Sequence, residues 1–121
     1  MGKFAKTKIM DTQYQPLYKQ AASMQYKFHD YTHAAGTAVD PGAMALRNQM
    51  HALTNDLARG RDPRQIDNRM RTIQGQLRRQ QTLTNNYATG HTQVLNDTQT
   101  RFMNRNFDSM RRTMTQHPNF K

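Results

Sequence analysis

Tyr14, Leu17, Ala21, Met24, Phe28, Tyr31 and Ala35 follow one another at steps of 3, 4, 3, 4, 3 and 4 residues. Only an α-helix brings residues at that spacing onto one face, so the pattern predicts an amphipathic helix over about 14–35. The chain cannot bury that stripe without a helical partner. Two further stripes supply one: Ala43, Leu46, Met50, Leu53 and Leu57, then Ile66, Met70, Ile73 and Leu77.

Local punctuation separates the stripes. Gly36 follows the first and Gly60 the second, each a common helix stop. Asp40-Pro41 and Asp62-Pro63 are matched helix starts, with Asp as the cap and Pro in the first turn, where its missing N–H costs nothing. A hairpin of helices at about 41–59 and from 63 onward follows, joined by Gly60-Arg61-Asp62. Beyond Leu77 the third stripe turns polar. A second apolar run resumes at Leu95, Phe102, Met103, Phe107, Met110 and Met114. A break near Gly90 is expected, giving helices of about 63–89 and 92–116. The expected fold is all-α: an antiparallel helical hairpin within a three- to four-helix bundle, with a long third helix. Residues 1–12 read as a basic arm, 13–117 as one helical domain and 118–121 as a tail.

Charge is the second constraint. The 121 residues carry 18 Lys and Arg against 8 acids, a net charge of +10, and every acid is Asp. Without Glu, most arginines lack the usual i,i+4 partner on their own helix. Hydrophobic residues make up only 35% of the chain, so thin helix–helix seams are expected rather than a thick interior. There is no Cys, hence no disulfide and no thiolate metal site. No run of 18 apolar residues is present, and no apolar segment follows the lysines at the start, so neither a membrane span nor a secretory signal is expected.

Catalytic signatures are sparse. The aspartates are scattered, and Asp40 and Asp62 are better explained as caps. Neither Ser23 nor Ser109 lies in a G-x-S-x-G turn, and there is no Gly-rich phosphate loop. His29 and His33 have the i,i+4 spacing of a helical metal site, but an Asp stands where a metalloprotease motif has Glu, and a third ligand such as His51 would be needed. No catalytic residue, metal or cofactor is expected.

The remaining signal is cationic. At about 100° per residue, Arg64, Arg71 and Arg78 fall opposite the third apolar stripe, with Arg61 and Arg79 beside them and Gly75 on the same ridge. Arg101, Arg105 and Arg112 cluster on a flank of the last stripe, and the arm adds Lys3, Lys6 and Lys8. Arg is suited to forked contact with phosphate. The expectation is a non-enzymatic structural or packaging protein that contacts nucleic acid or another polyanion within a multi-copy assembly, such as a virion or nucleoprotein complex. The second reading is a protein–protein adaptor whose seams pair with a helical partner or a second copy. The helix order over about 14–114, a short hairpin followed by a long helix, resembles the YlbF/YmcA group of small bacterial helical regulators, and that resemblance implies the adaptor role.

Overall fold

A computed structural model describes residues 12–84 and 94–120. Among these there are four α-helices and no strand: α1 (Tyr14–Ala35), α2 (Pro41–Ala58), α3 (Pro63–Thr84) and α4 (Asp97–Thr115). Each helix packs on the next, and α1 closes against α4. Cross-helix hydrogen bonds together with the short connections set neighbouring helices antiparallel. Gln25 meets His51 and Thr54, Arg69 meets Gln49 and Asp56, Asp67 meets Arg111, and Gln20 meets Asn106. The result is an up-down-up-down bundle, the arrangement that short connections favour.

The helix boundaries follow from local chemistry. Asp40 caps α2 by accepting from the N–H groups of Gly42 (2.8 Å) and Ala43 (3.4 Å). Asp62 accepts from Arg64 N–H at 3.2 Å at the start of α3. Gly36 (φ 71°) and Gly60 (φ 67°) take the left-handed conformation that a Cβ disfavours. The fourth helix starts at Asp97 rather than near 92. Asn96 accepts from Gln99 N–H (2.8 Å) while the Gln99 side chain accepts from Asn96 N–H (3.0 Å), a reciprocal capping box. Asn96→Ala should cost about 1 kcal/mol, read as a lowered urea midpoint with unchanged slope.

The third helix spans 22 residues, the same as α1 and only three or four more than α4 (19) and α2 (18), so the long third helix is not seen among the described residues. Gly90, where a break was expected, lies outside them, as do the arm lysines.

All the apolar stripes turn inward on one another. Tyr14, Phe28, Leu46, Leu53, Ile66, Met70, Met103 and Phe107 are each at most 1% exposed. The first stripe drifts: Thr32 is buried, Tyr31 half-buried and Ala35 exposed. A straight helix has 3.6 residues per turn, so a strict 3.5 repeat walks off the core after a few turns. Thr32 is tolerated there because its hydroxyl donates to the Phe28 carbonyl at 2.9 Å.

The chain beyond α4 folds back on the bundle. His117 is buried, its ring centroid 5.2 Å from that of Tyr14, and its Nδ1 accepts from Asn119 N–H at 3.1 Å. Phe120 packs against the core with the Arg64 guanidinium 5.4 Å from its ring centroid. Tyr14 in turn donates to the Arg61 carbonyl at 2.6 Å. One end of the bundle thus ties the start of α1, the turn between α2 and α3, and the chain after α4.

Candidate nucleic-acid interface

Charge is distributed unevenly over the four helices. The third and fourth carry nine arginines against three aspartates; the first and second carry three cations against two aspartates. Because α3 and α4 are neighbours, both arginine groups lie on the same half of the bundle.

A polar layer between α3 and α4 sets their register. Asp67 is only 5% exposed and Gln74 3%. Arg111 Nε donates to Asp67 at 2.9 Å, and its terminal nitrogen donates to Gln74 Oε1 at 3.2 Å. Gln74 Nε2 donates to Asp108 (2.7 Å) and to the Asn104 carbonyl (3.3 Å). A buried carboxylate is tolerable only with such partners. With this register, Arg78 lies level with Arg101, Arg71 with Asp108, and Arg64 with the end of α4.

Arg64, Arg71 and Arg78 are all exposed. From Arg64, near the line opposite the apolar stripe, they drift towards α4 by about 20° per heptad. At about 100° per residue they form the shoulder overlooking α4, just outside Asp67 and Gln74. Arg71 is also tied to Asp67 (Nε to Oδ2 3.6 Å), although its side chain remains 65% exposed. Arg79 is exposed on the outermost line of the helix, over Gly75. Arg101, Arg105 and Arg112 are exposed on the solvent side of α4. Arg61, in the turn before α3, is exposed on the opposite flank, towards α2. The α3–α4 side therefore joins the two expected rows of three arginines. It does not include Arg61, and the lysines at 3, 6 and 8 fall outside the described residues.

Two arginines off these rows serve the fold. Arg69 donates to Asp56 (3.1 Å) and Gln49 (3.0 Å) across α2 and α3, and Arg111 holds the buried layer described above. Sequence reasoning missed this network. The available signal was Asp67 and Gln74, seven residues apart beside the apolar stripe of α3.

Gly75 is half-exposed, and a Cβ there would meet only the Arg79 guanidinium, at 3.9 Å. Gly75→Ala should therefore stabilise the protein by about 1 kcal/mol, the helix-propensity difference, seen as a higher melting temperature.

The His29 and His33 rings stack with centroids 4.1 Å apart, and His51 is engaged with Gln25. Among the described residues no three His, Cys, Asp or Glu side chains are grouped to hold a metal ion, and no helix is long and apolar enough to cross a membrane. Comparison with protein-family models, curated proteins and solved structures returned no match.

Proposed function

We propose that the protein is a non-enzymatic, basic helical structural or packaging protein that grips nucleic acid through the α3–α4 side of its bundle, within a multi-copy assembly. The observation that carries this reading is the exposure of Arg64, Arg71 and Arg78 on α3 and of Arg101, Arg105 and Arg112 on the helix packed against it, α4, with Asp67, Asp97 and Asp108 as the only carboxylates of those two helices. A polyanion laid along that side releases condensed counterions at each phosphate neutralised, giving a phosphate-borne component of affinity that is indifferent to sequence and collapses with salt.

The adaptor reading is less well supported. It needs the apolar seams for an external partner, and Leu17, Met24, Leu46, Leu53, Ile73 and Leu77 are already buried within one chain. The likeness to the YlbF/YmcA group has no matching family model behind it and rested on a long third helix.

The test is a fluorescence-anisotropy titration of labelled duplex DNA over a range of salt concentrations. The expected outcome is a linear fall of log K with log salt, with a slope of about −0.9 per phosphate contacted. Affinity that ignores salt, or no binding at low salt, rules the proposal out.

A further inference from the structure

The solvent side of α3 has an order that phosphate binding alone does not require. Its outermost line carries Asn68, Gly75 and Arg79, with Gln65 and Thr72 on the shoulder towards α2. All but Gly75 are exposed, and none is a carboxylate. On one side of this line stand Arg64, Arg71 and Arg78, backed by the α4 row. On the other stands Arg61, exposed in the turn before the helix beside the exposed Asp62. Beside the line on that second side runs a polar cleft of about 420 Å³, lined by Gln65, Asn68 and Thr72 together with Arg61 and the ion-paired Arg69 and Asp56. Hydrogen-bonding side chains flanked by arginines on both sides match the two levels of a duplex groove, base edges in the middle and a phosphate strand on each rim.

From this order we infer that α3 is a reading helix that enters the major groove of double-stranded DNA, with Gln65, Asn68 and Arg79 at the base edges. The inference rests on the phosphate-binding role proposed above and adds the ligand class and the contact mode. The B-form major groove is about 12 Å wide and admits one α-helix, itself about 10–12 Å across with its side chains. Asn and Gln pair with adenine edges there, and Arg with guanine. The A-form groove of duplex RNA is too narrow and deep for side chains to read. Single strands are captured by stacking on aromatic rings, and α3 contains no Phe, Tyr or Trp.

The test starts from a pool of randomised duplex DNA enriched by rounds of binding to the full chain. Anisotropy then compares the enriched duplex with its scrambled counterpart. The comparison uses the parent and a Gln65→Ala/Asn68→Ala variant, whose fold is checked by circular dichroism. The parent should prefer the enriched duplex by about 5- to 100-fold. The variant should lose most of that preference and keep the parent's salt slope, because no phosphate contact has been removed. A duplex RNA of the same sequence should compete poorly. Equal affinity for enriched and scrambled duplexes with a steep salt slope would overturn groove reading and leave the phosphate grip standing. A preference unchanged in the variant, or RNA competing as well as DNA, would also overturn it. No binding to any duplex would remove the underlying role as well.

Discussion

Arg111→Leu is expected to lower the unfolding free energy by about 3 kcal/mol, because it strips a buried carboxylate of its closest cation. Asp67 would retain only Arg71, at 3.6 Å and largely in solvent, while Gln74 would lose the donor to its carbonyl oxygen. A fully orphaned buried charge costs about 3–5 kcal/mol, and the surviving Arg71 contact places this case at the low end. A domain of this kind has about 5–15 kcal/mol in total, so the loss should be plain in urea unfolding. Replacing both partners, Asp67→Leu with Arg111→Leu, removes the charge along with its cation. That double variant should return to within about 1 kcal/mol of the parent. If instead it is as unstable as the single variant, the cost arises from packing of the α3–α4 seam and not from an unpaired carboxylate.

Arg64→Ala, Arg71→Ala and Arg78→Ala together should weaken duplex binding by roughly 10²–10³-fold near 0.1 M salt. Three phosphate contacts at about 0.9 counterions each account for that loss and should flatten the salt slope by about 2.7. The fold should survive, because all three side chains are exposed. Arg64 also lies over the Phe120 ring, and Arg71 shares Asp67, so a small drop in stability should accompany the change. A triple variant with the parent's affinity and slope would show that the α3 shoulder does not meet phosphate.

Much of this architecture is legible in the sequence because it is written locally. Asp40-Pro41 and Asp62-Pro63 mark helix starts within two or three residues, and Gly36 and Gly60 mark the ends. The core hydrophobic residues of α2 and α3 are those the 3.6-residue period selects. The start of α4 was available too, in Asn96 followed three residues later by Gln99, but the apolar run around it masks the cap. What one chain read in order does not reveal is pairing over distance. Asp67 looks like an ordinary helix-face acid until Arg111, 44 residues further on, is set against it. The same holds for the arginines. Arg69 and Arg71 are two residues apart, yet helix geometry sends one to Asp56 on α2 and the other to the α4 side. Sequence spacing shows which arginines share a helix face, and only the register between helices shows that the α3 and α4 rows share a side.

The decisive comparison removes equal charge from two places. Arg101→Ala with Arg105→Ala takes two cations from the α3–α4 side, and Lys19→Ala with Lys27→Ala takes two from α1. Measured as log K for duplex DNA against log salt, the arginine pair should flatten the slope by about 1.8, while the lysine pair leaves it as in the parent. Equal flattening by both would mean that the protein binds through its overall charge, with no dedicated side.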